Sequence, residues 1–366
     1  MFVMPETTVW PLEPHTAAKH SILRRYLQGY YPKMASAQRR LVFVDGFAGP
    51  GEYVGGKPGS PVIALDTLTG HNQFPRWSDT EFLFLFIEED AARFELLSST
   101  LAAREDPANV RVATRCGSFQ EHMTDVLDRL GTNRLAPAFV MVDPFGVKGL
   151  PLDLLRRLAK FPKTELLVSF MYESISRWHS QPNYEVALDE LFGRPDWRDA
   201  EGLEGEEKKA FLSGLYATQL QGIGMDYVRL FEMGDAGNRT EYFLAFGTHS
   251  HHGLRVMKNA MWTVDRTGGV KFSDFTAPDP GQGVLFEPEP NYPQLRALLH
   301  PKFAGEGQVP IEEIDCFVLT ETAFLEKHGK TVLREDEAAG SVKIHRPSGR
   351  RKNYLNEGTV VTFPLL

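Results

Sequence analysis

The chain has 366 residues, more than one domain usually holds, so two domains or one domain with a large appendage are expected. Hydrophobic residues make up 42% and charged residues 24%, as in an ordinary packed protein, which excludes a disordered or fibrous chain. A net charge of −8 excludes a uniformly basic surface, so any nucleic-acid contact must come from a local patch.

The two cysteines, Cys116 and Cys316, suit a reducing compartment and alone make no zinc site. The start, MFVMPETTVW, has no basic segment followed by an apolar run, and no apolar stretch approaches the roughly 18 residues of a membrane span. A cytoplasmic, non-membrane protein is expected.

Residues 15–31 place Ala18, Ile22, Leu23, Tyr26 and Leu27 at helical spacing, and Pro32 is expected to end that helix. An apolar run at 41–45 leads into the glycines of DGFAGPG, and Ser60-Pro61 reads as the N-cap and first turn of the next helix. Residues 82–90, 110–114, 138–142 and 165–170 are further short apolar runs separated by helical patterns. Continuous rather than alternating apolar strands between helices predict a parallel sheet covered on both faces. After a helical stretch at about 184–222, YVRLFEM and TEYFLAFGTHS flank the turn GDAGNR and predict an antiparallel hairpin at the sheet edge.

The expected fold class is therefore α/β: a Rossmann-like sheet, mostly parallel with a terminal antiparallel hairpin, over residues 1–273. Five β/α units followed by such a hairpin occur most often in class I methyltransferases. A Pro- and Gly-rich linker is expected at 274–294. Residues 295–366 then suggest three short helices and two strands around a basic tip, a winged-helix-like domain.

The chemistry concentrates at strand ends. Asp45, Gly46, Phe47, Gly49 and Gly51 follow the first strand, beside the crevice where doubly wound sheets bind ligands. Glycines permit positive φ and close approach, and a carboxylate can hold an ammonium group. That set suits S-adenosylmethionine better than a pyrophosphate, whose loop favours G-x-G-x-x-G spacing. A plain strand-turn-helix connection remains the competing reading.

Glu88 stands at the tip of the second strand, where an acid grips ribose hydroxyls, although Glu89 and Asp90 compete for the role. Ser118 and Phe119 could serve the adenine, but a helix N-cap followed by a core phenylalanine is the stronger reading. Asp143, Pro144 and Phe145 end the fourth strand. Nitrogen-directed methylation needs acceptors for the N–H bonds of the nucleophile and an aromatic face for a planar substrate, and these three residues supply both. An unremarkable turn is the alternative for this segment. Lys148 and Lys258 are further possible substrate contacts.

His249, His251 and His252 lack an acid at ligand spacing and read as a solvated turn, so no metal is expected. Lys343, His345, Arg346, Arg350, Arg351 and Lys352 crowd the C-terminal tip and suit phosphate contact.

With these pieces assembled, the chain resembles the three-Cys-motif partner proteins over nearly its whole length. The matching segments are Lys19-His20, DGFAGPG with GSP at 59–61, IEED, DPFG, MKNAMW at 257–262 and the C-terminal helical segment. The resemblance implies a class I methyltransferase-like domain, an S-adenosylmethionine site, and a co-encoded partner that carries a three-cysteine, radical-enzyme-like motif. FAGPG with DPFG is also similar to amino-methyltransferases of DNA or rRNA, whose Asp-Pro-Pro-aromatic motif differs here: the second proline is missing and Phe145 comes one position early.

The expected function is an S-adenosylmethionine-dependent methyltransferase directed at a nitrogen in nucleic acid. The alternatives are a non-catalytic, nucleic-acid-tethering partner, and a Mg-dependent nuclease built on Asp45, Glu88 and Asp143.

Overall fold

The computed structural model describes residues 7–178, 181–274 and 288–365. Most of the linker expected at 274–294 thus lies outside the described residues. The chain divides into two compact units: one takes in residues up to Ala260 together with 271–274, the other Met261–Val270 and the residues from 288 onward.

The first unit is built on an eight-stranded sheet. Its parallel part consists of β1 (Arg40–Asp45), β4 (Glu81–Glu88), β5 (Val110–Cys116), β6 (Ala138–Val142) and β7 (Thr164–Phe170). The two-residue strands β2 (Glu52–Tyr53) and β3 (Lys57–Pro58) form a small ribbon between β1 and β4 in the chain. With β8 (Tyr227–Gly234), β9 (Thr240–Thr248) and the short β10 (Lys271–Ser273), the order across the sheet is β10-β8-β9-β7-β6-β1-β4-β5, so the winding reverses between β1 and β6, the switch point where such sheets open a crevice. β8 and β9 are antiparallel to each other, and β9 is antiparallel to β7.

The hairpin is not the outermost element. The short strand β10 pairs in parallel with β8 beyond it. A three-residue strand leaves almost no periodic signal, which is why the sequence gives no warning of it.

Alternation along the strands assigns the two faces of the sheet. On one side Phe43 and Phe139 stack with ring centroids 5.7 Å apart, under Tyr26 of α1 (Pro14–Ala35). On the other side Val44, Val140 and Val142 pack with Phe119 and Met123 of α4 (Phe119–Leu130) and Leu155 of α5 (Leu152–Ala159). α2 (Ser60–Thr69) packs on α1, and α3 (Ala91–Ala102) follows β4 with Asp90 as its N-cap. α6 (Tyr172–Trp178) follows β7, and the region expected to be helical at about 184–222 holds α7 (Glu185–Phe192) and α8 (Gly205–Gly222). α9 (His251–Met261) follows β9.

Two local expectations are corrected. Pro32 does not end α1, which runs on to Ala35. The last turn survives the missing N–H because Tyr31 and Ala35 are buried and the N–H of Ser36 donates to the Pro32 carbonyl. Ser60 is not an N-cap: Gly59 occupies that position and the Ser60 hydroxyl is used elsewhere.

The second unit runs α10 (Tyr292–Phe303), β11 (Gln308–Pro310), α11 (Ile311–Glu321), α12 (Glu326–Ala339), β12 (Lys343–His345) and β13 (Val360–Thr362). β11 adds a third strand to the expected pair, giving an antiparallel sheet in the order β11-β13-β12. Its core gathers Leu295, Leu299, Phe303, Val318, Val332 and Phe363, together with Trp262. Among the described residues, no helix is long and apolar enough to cross a membrane.

A candidate cofactor and substrate cleft

At the carboxyl ends of β1 and β6 lies a cleft of about 240 Å3. Its walls come from the loop after β1 (Phe47 to Gly51), from Lys19 and His20 of α1, and from the Asp143-Pro144-Phe145 segment after β6.

The β1 loop is fixed to both neighbouring strands. The N–H of Gly46 donates to the Met141 carbonyl and that of Ala48 to the Ile87 carbonyl, each at 2.9 Å. Gly49 and Gly51 take φ of +63° and +83°, a conformation that side-chain-bearing residues resist. Gly46 is required for another reason: a Cβ there would fall 2.3 Å from Cδ2 of Phe119.

Asp45 has no exposure. Its carboxylate accepts bonds from the Ser60 hydroxyl (2.6 Å) and the Phe47 N–H (3.2 Å). Burial pushes its carboxyl up to about 7, against the opposing pull of those two hydrogen bonds. Phe47 and Ser60 line the cleft; Asp45 is held through them and is not part of the cleft wall.

Glu88 is also turned inward. One oxygen accepts from the Gly49 N–H at 2.8 Å and the other from the Asp90 N–H at 2.9 Å. Burial raises its pKa, and these backbone bonds and the charge of Arg93 offset part of the rise. Ser118 caps α4, accepting from the Glu121 N–H at 3.2 Å, and Phe119 lies in the core against Gly46. Ser118 and Phe119 thus make the N-cap and core contacts that the sequence offered beside a cofactor role.

Asp143 forms an ion pair with Lys19 across the cleft; the two side chains are 25% and 8% exposed. Burial opposes the charge on Asp143, but the Lys19 ammonium and hydrogen bonds from Lys19 and Ser169 outweigh it, so its pKa falls below the ordinary value. His20, beside Lys19, is pushed down to about 3 by burial and then by the Lys19 charge, so its imidazole is neutral. Lys19 also lies 5.5 Å from the ring centre of Tyr242.

Phe145 lines the cleft with Trp10. The Arg93 guanidinium lies over both rings, 5.0 Å from Trp10 and 5.7 Å from Phe145. At the rim, His15 approaches Asp274 at 3.0 Å, Glu13 at 3.2 Å and Glu241 at 3.4 Å.

Lys148 lies outside the cleft wall, 5.5 Å from the Tyr184 ring. Lys258 is buried in α9. His249 meets Asp226 at 3.2 Å. Among the described residues no group of three or more His, Cys, Asp or Glu side chains is placed to hold a metal ion. Asp45, Glu88 and Asp143, grouped in the nuclease reading, are committed to Ser60 and Phe47, to backbone N–H groups, and to Lys19 respectively.

In the second unit, Arg346 does not reach out from the tip. Its guanidinium forks onto Glu337 at 2.6 and 2.7 Å and donates to the Tyr354 carbonyl at 3.0 Å. Arg350 lies over the Tyr354 ring, while Lys343, Arg351 and Lys352 are exposed.

Lys19, Trp10, Tyr53 and Tyr242 were not assigned roles from sequence chemistry. Lys19 carried one usable signal: it sits beside the apolar stripe of a helix, where a charged residue is buried only with a partner.

The fold is α/β, built on a mostly parallel eight-stranded sheet. No protein-family model matches the sequence, and no curated protein matches it. Among solved structures, a Legionella pneumophila strain Philadelphia 1 protein of family DUF519 is 12% identical, with 65% of this chain and 86% of that one covered and a TM-score of 0.39. Human methyltransferase-like protein 13, in complex with SAH, is 10% identical, with 75% and 96% covered and a TM-score of 0.35. The human methyltransferase 10 domain containing protein is 14% identical, with 62% and 82% covered and a TM-score of 0.31. The functional reading rests on the cleft.

The Asp45 environment makes a testable pH signature. An acid whose folded pKa lies above its unfolded value takes up a proton on folding, so stability falls as pH rises from about 4 to about 7. Asp45→Asn removes that dependence while keeping an acceptor for the Phe47 N–H. In urea unfolding, the variant is expected to match wild type near pH 4.5 and to exceed it at pH 8 by on the order of 2 kcal/mol. Equal pH profiles for the two proteins would contradict the assignment.

Proposed function

We propose that this chain is an S-adenosylmethionine-dependent methyltransferase directed at a nitrogen in nucleic acid. One observation carries the reading: the positive-φ glycine turn, the Lys19–Asp143 pair and the Pro144-Phe145 segment converge on a single cleft at the switch point of the sheet.

The donor set fits the amino-acid end of the cofactor. Lys19 would hold its carboxylate beside the close backbone approach at Gly49 and Gly51, which leaves Asp143 to face the incoming nitrogen. The cleft volume of about 240 Å3 falls below the roughly 300–1,000 Å3 of pockets that enclose drug-sized ligands, so it suits one end of the molecule rather than the whole.

When bound, the cofactor supplies an electrophilic methyl group. The chain supplies position. Asp143, kept ionised by Lys19, and the carbonyl of Pro144 accept the N–H bonds of the acceptor nitrogen and direct its lone pair. Phe145 gives a face for a planar base, and neutral His20 adds no competing charge. The proton released from the methylated nitrogen passes from Asp143 to water, which the low pKa of that carboxyl favours.

The second unit is read as a winged-helix-like docking module. Exposed Lys343, Arg351 and Lys352 at the tip adjoin α12, whose exposed Arg334 donates to the Asn353 carbonyl at 3.4 Å. The resemblance to three-Cys-motif partner proteins supports a co-encoded partner with a radical-enzyme-like motif. A second reading, a non-catalytic tethering partner, is favoured by one observation: Glu88, Ser118 and Phe119 are all occupied by structural contacts.

Transfer of labelled methyl from S-adenosylmethionine to rRNA, tRNA, duplex DNA or protein, with and without the partner, tests the proposal. Asp143→Asn is expected to cut transfer to nucleic acid by about 10²–10³-fold while S-adenosylhomocysteine affinity stays within a few-fold. Undiminished transfer by the variant would remove Asp143 from the reaction, and methylation of protein alone would move the substrate class.

Nucleic-acid affinity gives an independent check on the tip. The triple variant Arg350→Ala, Arg351→Ala, Lys352→Ala is expected to bind more weakly at low salt and to reduce the slope of log K against log salt by about 0.9 per lost duplex phosphate contact. Arg346→Ala should instead lower stability, because it leaves Glu337 without its fork.

A further inference from the structure

A second cavity of about 250 Å3 lies at the amino ends of the parallel strands, the end of the sheet away from the cleft. It opens between the last turns of α1 and the start of α9, and the proposed methyltransferase chemistry makes no use of it. An apolar cavity of about 150 Å3 is enough to take benzene, so this one has room for a substituted ring.

Its body is apolar, with Tyr26, Tyr30, Met34 and Val256 among the lining residues. Close packing of the two helices elsewhere keeps its floor in place: a Cβ on Gly29 would fall 2.7 Å from Cγ1 of Val256. Glycine at 253 is also enforced, because a Cβ there would fall 2.1 Å from Oε1 of Glu165.

The polar groups are arranged unevenly. The inner group is Glu165, a buried acid that accepts from the Tyr26 hydroxyl and from the Thr248 hydroxyl at 2.8 Å. Near it, the Tyr30 hydroxyl is buried and has no hydrogen-bond partner among the described residues, as is true of Nε2 of His252. Leaving such groups unmade is costly, which points to something that completes them. The outer group is cationic: Lys33 and Lys163 line the cavity and are exposed, with no ion-pair partner among the described residues. Burial first, and then the nearby charges of Lys33 and Arg255, hold His252 below its usual pKa, so it is a neutral hydrogen-bonding group.

We propose that this cavity binds a small aromatic monocarboxylate carrying a hydroxyl at the end opposite the acid. The carboxylate meets Lys33 and Lys163 at the mouth, the ring lies against Tyr26, Tyr30 and Val256, and the hydroxyl bonds Tyr30 and Glu165 inside. A hydroxyl suits the inner end because it both donates to a carboxyl oxygen and accepts from a phenol. A cationic ligand is disfavoured by the two lysines, and a purely apolar one leaves the Tyr30 hydroxyl unmet.

Calorimetric and NMR titration of the full chain with 4-hydroxyphenylacetate tests the proposal, with neutral 4-hydroxyphenethyl alcohol and cationic tyramine as comparison probes. The expected result is saturable, sub-millimolar binding of the acid with shifts at Tyr30 and Val256, at least tenfold weaker binding of the alcohol, and no binding of tyramine. The double variant Lys33→Glu, Lys163→Glu should weaken the acid at least tenfold. Ala37→Trp, at an exposed position of the lining, should abolish binding with unchanged thermal unfolding. No binding of the acid, equal binding of alcohol and acid, or binding untouched by Ala37→Trp would each overturn the proposal. Because this cavity and the cleft share no lining residue, S-adenosylhomocysteine binding is expected to be the same in all these variants.

Discussion

Lys19 reaches from α1 to Asp143 at the end of β6, and the electrostatics of the cleft follow from that contact. An ammonium and a carboxylate withdrawn from water repay their desolvation only when paired with good geometry and further hydrogen bonds. Removing one partner of such a pair costs on the order of 3 kcal/mol, because the other is left charged and poorly hydrated. The pair keeps Asp143 ionised and leaves the cleft with a cation and an anion side by side, next to a His20 kept neutral by burial first and then by the Lys19 charge. The cation suits the carboxylate at the amino-acid end of the proposed cofactor, and the anion suits an N–H donor of the proposed methyl acceptor. It also ties α1 to the strand that carries the Asp-Pro-Phe segment, so the two walls are set by one interaction.

The opposite wall has its own internal logic. Asp45 and Glu88, the acids at the tips of β1 and β4, both hold the loop after β1, Asp45 through Phe47 and Glu88 through Gly49, and spend their other oxygens on Ser60 of α2 and on the Asp90 N–H. The loop is therefore preorganised by carboxylates rather than merely flanked by them. Ligand binding at Gly49 and Gly51 needs little further backbone ordering, which lowers the entropic cost of association. The raised pKa of both acids is the consequence of placing them behind the wall.

Much of this was legible in the sequence, for definite reasons. The run AFVMV became β6 residue for residue because a strand buried on both faces must be apolar throughout. DGFAGPG and DPFG were found at strand ends because glycine and proline punctuate the chain wherever φ is unusual. What escaped were features decided by long-range partners. Ser60 looks like an N-cap until Asp45, fifteen residues earlier, takes its hydroxyl. Pro32 looks like a helix end until buried Ala35 and the Ser36 N–H hold one more turn. Arg346 looks like a phosphate ligand until Glu337 forks onto it. β10 and β11 are three residues each and have no period to read. Lys19 was visible only as half of a two-residue motif, since nothing local says that a helix lysine will meet an aspartate 124 residues later.

The central claim is that the cleft receives the amino-acid end of an S-adenosyl cofactor at the glycine turn and Lys19. Calorimetric titration of the purified chain with S-adenosylhomocysteine, beside Gly49→Val and Lys19→Met, tests it most directly. The account predicts micromolar binding by wild type and its loss in both variants, each still folded by circular dichroism. A folded wild-type chain that binds no S-adenosylhomocysteine would contradict it, and so would binding that neither substitution disturbs.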